Sequence, residues 1–251
     1  MKRDDAMRHE QINQQTENVP AICTLATRLL IALICGLAFG QATTARAQEM
    51  QLGFDFLTVF PRGEFRDNIS NNGYGASGHF LVRVKQSPLL VGVDVGGVVY
   101  GSETRRERLL PDVPDVRVDV TTKNNIFLTH FLVRAQPRHG AVRPYVDGLI
   151  GFKYLYTNTS IDIDAENSPS DTNLSDVTLS YGVGGGVQVQ LTSSRRRPVV
   201  LLDAGVRYLR GGRAEYLREG SISRKDGAVF FDVLRSRTDV VTAQVGVTFR
   251  F

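Results

Sequence analysis

From Gln51 to the last residue, apolar and polar side chains alternate with a period of two, the repeat that sends successive residues to opposite faces of a β-strand. Eight stretches carry the pattern and predict strands over 51–60, 74–85, 89–101, 124–135, 144–156, 177–191, 199–209 and 239–251. Each has the roughly nine to eleven residues that cross a bilayer when tilted, or slightly more. The connections alternate as well. QSP, QPRHGAVR and TSSRRRP are short, whereas PRGEFRDNISNNG, the segment around SETRRERLLPDVPDV, TNTSIDIDAENSPSDTNLSD and residues 210–238 are long. Tight turns at one end and long loops at the other predict an up-and-down barrel.

A short repeat supports this register. HFLVR occurs at 79–83 and again at 130–134, each time just before a short turn, and the 51-residue offset is one complete up-and-down hairpin. Both copies put Phe80 and Val82, or Phe131 and Val133, on one face. His79, Leu81 and Arg83, or His130, Leu132 and Arg134, fall on the other.

Extended to all eight strands, one face is consistently apolar, from Leu52, Phe54 and Phe56 to Val245, Val247, Phe249 and Phe251. The other carries Asp55, His79, Arg83, Asp94, His130, Arg134, Asp147, Lys153, Gln188, Gln190, Asp203, Arg207, Gln244 and Arg250 among many glycines. A soluble barrel turns its apolar face inward; a membrane barrel turns it toward lipid. Two features favour the membrane arrangement. Gly53, Gly92, Gly96, Gly182, Gly184, Gly186, Gly205 and Gly246 suit a crowded lumen better than a water-facing surface. The charges are also ordered: each ascending strand has an aspartate (Asp55, Asp94, Asp147, Asp203), and three of the four descending strands end near an arginine (Arg83, Arg134, Arg250). Strand six supplies Gln188 and Gln190, and Arg207 adds a base on strand seven. Neighbouring strands lie about 4.8 Å apart, so these residues are expected to form a lumen charge ring paired across the ladder near the periplasmic end.

The segment ahead of the barrel reads as an export signal. Arg28 precedes the apolar run LLIALICGLAFG, too short for the roughly 20 residues of a membrane helix, and Ala45-x-Ala47 supplies a cleavage site. Residues 1–47 are therefore expected to be a signal peptide and 48–251 a single barrel domain. Cys23 and Cys35 both fall in the leader, so no disulfide or cysteine metal site is expected in the mature chain. Of 30 Lys/Arg and 26 Asp/Glu, the leader holds five and four, leaving 25 against 22 and a net charge near +3. That mild basicity gives no nucleic-acid footprint.

The chain ends in VVTAQVGVTFRF, whose positions Val245, Val247, Phe249 and Phe251 are apolar or aromatic. This strand resembles the assembly signal of bacterial outer-membrane barrels, which implies insertion by the outer-membrane assembly machinery. Residues 48–251, with Arg143-Pro144-Tyr145-Val146 opening a glycine-punctuated aromatic strand, are similar to the small eight-stranded family that includes the OmpA transmembrane domain and OmpX. The resemblance implies an all-β, eight-stranded antiparallel transmembrane barrel in the bacterial outer membrane, surrounded by outer-membrane lipids and lipopolysaccharide. Two departures limit what it carries over. No peptidoglycan-binding domain accompanies the barrel in this sequence, so an anchoring role is not implied. Tryptophan is absent, so any interfacial aromatic belt uses residues such as Tyr74, Tyr154, Tyr156 and Phe251.

Little chemistry stands out. An eight-stranded barrel is only wide enough for side chains to fill, and the charge ring closes it further, so the expected role is structural or surface-interacting rather than enzymatic. A narrow gated channel is the alternative, with His79 and His130 as a pH-sensitive lumen pair that changes charge near neutrality. A lipid A-modifying enzyme is the third reading. It needs a nucleophile and base within reach of an acyl chain; a lumen-facing serine such as Ser77 or Ser180 could serve, but nothing in the sequence marks one, and the lumen histidines lie well away from the outer leaflet. No cofactor is expected. Asp162, Asp164, Glu166 and Asp171 in the third long loop lack the central glycine and terminal glutamate of a calcium loop, which favours a solvated acidic tip. Arg105, Arg106, Arg108, Arg210, Arg213, Arg218, Arg224 and Lys225 in the second and fourth long loops are candidates to meet lipopolysaccharide phosphates. The Val229-Phe230-Phe231 patch reads as an extension of the last hairpin. The sequence names no extracellular ligand.

Overall fold

A computed structural model describes residues 48–69, 71–110, 113–162, 170–192, 198–218, 221–225 and 228–251. Residues 1–47, expected to be a signal peptide, and Asp164 and Glu166 of the third loop lie outside the described residues.

Eight strands close into an antiparallel cylinder: β1 (Met50–Pro61), β2 (Gly73–Arg83), β3 (Leu89–Leu110), β4 (Val113–Ala135), β5 (Val142–Asp162), β6 (Ser170–Gln190), β7 (Val199–Gly211) and β12 (Val240–Arg250). Each pairs with its sequence neighbour, and β12 pairs with β1 from Gln51↔Arg250 to Pro61↔Val240, so no barrel edge is left open. The alternation has the sense that the sequence implies. Phe54, Ile150, Phe152 and Val183 on the outer face are 57%, 56%, 57% and 63% exposed, while Asp55, His79, Asp94, Arg134, Asp147 and Asp203 are buried inside. The lumen is mixed, because Leu81, Leu90, Leu132, Leu149 and Leu201 share it with the charged residues.

The long-loop end departs from expectation in three ways. First, β3 to β6 do not stop at 101, 124, 156 and 177 but continue as paired ribbons to Leu110, Val113, Asp162 and Ser170. The extensions are rich in Ser, Thr, Asn and charged residues, and their one apolar alternation, at Val116, Val118 and Val120, stands in register with a charged stretch, Val118 opposite Glu107 and Val120 opposite Arg105. Their cohesion comes from ladder pairing and from hydroxyls and amides: Thr104 to Thr121 at 3.1 Å, Thr122 to Thr159 at 3.2 Å, and the Thr157 hydroxyl donating to Asn124 Oδ1 at 2.7 Å.

Second, the first long loop holds a short helix, α1 (Glu64–Asn68). Gly63 makes the turn into it at φ +53°, a conformation open mainly to glycine. The helix pushes Phe65, which is fully buried, against Tyr100 and Tyr216 at ring-centroid distances of 5.8 and 5.1 Å, both edge-on. Asn68 Nδ2 donates to the Tyr216 hydroxyl at 2.9 Å. With Ile69 and Leu217 these side chains make an apolar lid over that mouth of the barrel.

Third, the last long loop carries two small ribbons: β8 (Arg213–Tyr216) pairs with β11 (Leu234–Arg237), and β9 (Ile222–Lys225) pairs with β10 (Ala228–Phe231). Val229, Phe230 and Phe231 thus belong to a separate two-stranded tip rather than to the β7–β12 ladder.

Candidate functional site in the barrel lumen

The register delivers the first contact. Arg134 on β4 stands directly opposite Asp147 on β5, and the two form a fork: Nε to Oδ1 at 2.8 Å and Nη2 to Oδ2 at 2.9 Å. From there the network crosses the lumen instead of running round it. Arg134 Nη1 reaches Asp203 on β7 at 3.5 Å. Arg207, also on β7, reaches Asp94 on β3 at 3.0 Å and Asp147 at 3.5 Å. All five side chains are at most 4% exposed, so nearly the whole desolvation cost has to be met by these partners.

Polar neighbours complete the shell. The Tyr145 hydroxyl donates to Asp203 Oδ1 at 2.6 Å, and Gln188 Nε2 donates to Asp203 Oδ2 at 2.7 Å. The Arg134 guanidinium lies 3.7 Å from the centroid of the Tyr145 ring, a cation–π contact. Glycine makes room for the two large groups. A Cβ at Gly186 or Gly205 would run into the Tyr145 hydroxyl, and one at Gly184 would meet the Arg207 stem.

The arrangement differs from a neighbour-to-neighbour ring. Among the expected members only Arg134 and Asp147 pair across adjacent strands with opposite charge. Arg83 turns to Glu49, just ahead of β1, with Nε to Oε2 at 2.9 Å and Nη2 to Oε1 at 3.0 Å. Asp55 faces Ser77 and Gly246 in register and bonds His79 Nδ1 at 3.0 Å. Arg250 sits at the short-turn end opposite Gln51 and Val199, apart from the central cluster. The physical reason is reach: an arginine side chain is long enough to span an interior this narrow, so the best carboxylate need not be on the next strand. Burial alone would raise the Glu49 carboxyl. The hydrogen bond and charge of Arg83, with help from Gln51 and the Arg250 charge, outweigh it and hold Glu49 below the ordinary carboxylate range.

Glu49, Tyr145, Gln51 and Gln136 are members that alternation did not single out. Gln51 Nε2 donates to Gln136 Oε1 at 3.1 Å and Gln136 Nε2 to Gln188 Oε1 at 2.8 Å, linking the Glu49–Arg83 end to the centre. Tyr145 was findable, since it shares a strand face with Asp147; Gln136, beyond the end of β4, was not. Lys153 is fully buried and its ammonium donates to the carbonyls of Thr238 at 2.6 Å and Leu209 at 3.3 Å, below the lid.

The two lumen histidines have different surroundings. His79 is wedged over Gly53 between Asp55 and Thr248, whose hydroxyl lies 3.4 Å from Nε2. His130 Nε2 lies 2.9 Å from Ser180 Oγ, a serine–histidine contact of the kind a hydrolase uses. Ser180 is fully buried and His130 1% exposed, which leaves no room for a lipid chain beside them. Ser77 makes no such contact with a histidine. Among the described residues no group of three or more His, Cys, Asp or Glu is placed to hold a metal ion. The side chains of Val245 and Phe251, 50% and 43% exposed, look outward with Val247 and Phe249 from the strand that closes the cylinder.

No protein-family profile and no curated protein matches this chain. Solved structures with a similar course do exist. Neisserial surface protein A is 15% identical, with 83% of this chain and 98% of that one covered at a TM-score of 0.36. A major outer membrane protein from Thermus thermophilus is 12% identical, with 80% and 99% covered at 0.40. The outer membrane protease OmpT from Escherichia coli is 7% identical, with 84% and 99% covered at 0.34. The fold assignment itself rests on the strand pairings: this chain is a closed, eight-stranded antiparallel β-barrel.

Proposed function

We propose that the chain is a bacterial outer-membrane barrel with a non-enzymatic, structural or surface-interaction role, its lumen sealed by the buried ion network and its long-loop end turned to the exterior. The observation that carries this is the Arg207–Asp94 contact joined to Arg134, Asp147 and Asp203, since together they bridge the interior from wall to wall. The exposed belt of Phe, Val, Leu and Ile supports lipid as the outer solvent, because water would not tolerate so continuous an apolar surface. Long ribbons beyond the barrel supply the surface for contact with other molecules. The burial of Ser180 and His130 speaks against acyl chemistry at that pair.

Planar-bilayer recording tests the sealed lumen. The wild-type barrel is expected to insert without steady unitary conductance, and Asp94→Ala to introduce one. A steady unitary conductance of the wild-type barrel would replace this reading with that of a narrow channel. Mass measurement of lipid A after incubation with the protein would expose any gain or loss of acyl chains and overturn the non-enzymatic part.

A further inference from the structure

Two arginines face each other where the ladder rule forbids it. In the β8–β11 ribbon Arg213 is the register partner of Arg237, and Glu215 that of Arg235. Directly opposed side chains share a face of the ribbon, and like charges so placed repel. The ribbon cannot relieve this by turning over. Its other face buries Ala214, Tyr216 and Ser236, tied by the 2.6 Å contact between Tyr216 and Ser236 hydroxyls and by Phe65 against the Tyr216 ring.

The charge is offset only in part: Glu215 stands opposite Arg235 on the same face, without an ion pair between them among the described residues. Arg62 joins the same rim, its backbone N–H donating to the Asp239 carbonyl at 2.9 Å, and Arg210 stands outward on β7 at the foot of the ribbon. Among the described residues none of Arg62, Arg210, Arg213, Arg235 and Arg237 has an ion pair to a carboxylate. Asp239 and Glu64 are engaged otherwise. Asp239 accepts from the Gly211 amide at 2.9 Å and the Tyr208 hydroxyl at 3.4 Å, and Glu64 accepts from the Arg237 backbone amide at 3.1 Å. Arg237 Nε is buried without a hydrogen-bond acceptor.

We propose that Arg213 and Arg237, flanked by Arg62, Arg210 and Arg235, form a clamp for a phosphate group on a lipid of the outer leaflet. Every base on this patch is an arginine, whose planar fork grips a phosphate through two parallel bonds where a lysine offers only a point charge. The height fits a headgroup. Arg210 is two residues beyond Tyr208, which is 43% exposed at the edge of the apolar belt. A phosphate between the exposed ends of Arg213 and Arg237 turns a repulsive rung into a bridged one. The inference rests on the membrane reading above.

The test compares the full chain and Arg213→Ala/Arg237→Ala in phosphatidylcholine vesicles doped with phosphorylated lipid A or with lipid A stripped of its phosphates, counting retained lipid by native mass spectrometry. Wild type is expected to hold phosphorylated lipid A roughly tenfold better than the stripped lipid or the variant, and Arg213→Lys/Arg237→Lys to fall between. Equal retention of both lipids, or by both proteins, overturns the clamp; so does inorganic phosphate that displaces the lipid at equal concentration, since the site would then take free phosphate. Heat-modifiability of the same samples separates the two readings. A barrel that inserts but does not discriminate refutes only the clamp, whereas a chain that does not insert refutes the membrane assignment. Hydrogen exchange without lipid A adds a second check: stem amides in the alanine variant are expected to exchange no faster than in wild type. Faster exchange would make the arginines braces of the ribbon and overturn the proposal.

Discussion

Arg207 and Asp94 are rooted four strands apart by either route round the cylinder, yet their side chains meet at 3.0 Å. This diametral contact ties β7 to β3 across the interior and, through Asp147, recruits β5. The contact braces the interior across its diameter.

Removing one partner should therefore cost more than removing both. Arg207→Ala leaves Asp94 buried without its cation, a change of about 3–5 kcal/mol, whereas Arg207→Leu/Asp94→Leu fills the space with no uncompensated charge and should recover most of that loss. The temperature at which the folded band disappears on an unboiled gel, measured for each variant, checks the order. A double variant no better than the single one would show that the pair is not the principal brace.

Acid should loosen the short-turn end through Glu49. Its carboxyl is held below the ordinary range in the folded chain, so it binds a proton less readily folded than unfolded. The Glu49–Arg83 contribution is thus complete above the ordinary carboxylate pKa, shrinks as pH falls from there, and is gone below the lowered folded value. Glu49→Gln removes this pH-dependent part. The stability difference between wild type and the variant should narrow on acidification through that window and stay constant from pH 6 to 8.

The lid should yield locally. Phe65→Ala empties the space between Tyr100 and Tyr216, which costs the docked position of α1 about 3 kcal/mol and leaves the barrel ladders untouched. Limited proteolysis between residues 62 and 69 is expected to accelerate while the heat-modifiable band persists. If cleavage stays at the wild-type rate, other contacts hold the lid in place.

The parts that were legible in the sequence are those governed by local periodicity. Alternation located all eight staves and sorted their two faces, because an outward apolar side and a packed interior leave a period-two record at Phe54, Asp55 and Phe56 as clearly as at Val245; the sense of the faces came from the lumen glycines and the ordered charges instead. The ribbon extensions escaped because Thr104, Thr121, Thr122 and Thr159 are polar and pair through hydroxyls and backbone, while the short alternation at Val116, Val118 and Val120 has only the charged stretch 105–108 opposite it. The ion network escaped for another reason. Spacing along a strand tells which residues enter the lumen but not which of several carboxylates a long guanidinium will choose, so Asp94 and Arg207 were visible as members and invisible as partners. The lid was hidden because Phe65 lies in a stretch of mixed polarity whose contacts come from residues on three other elements.

The seam between β1 and β12 has a kinetic corollary. Its rungs join Gln51 to Arg250 and Phe60 to Val241, segments from opposite ends of the described chain, so this ladder has the largest loop-closure entropy in the molecule. Staves such as β4 and β5 can zip as local hairpins early, but Arg207 and Asp94 are brought opposite one another only as the cylinder curls shut. The bracing charges therefore reward the finished state and cannot guide the chain toward it.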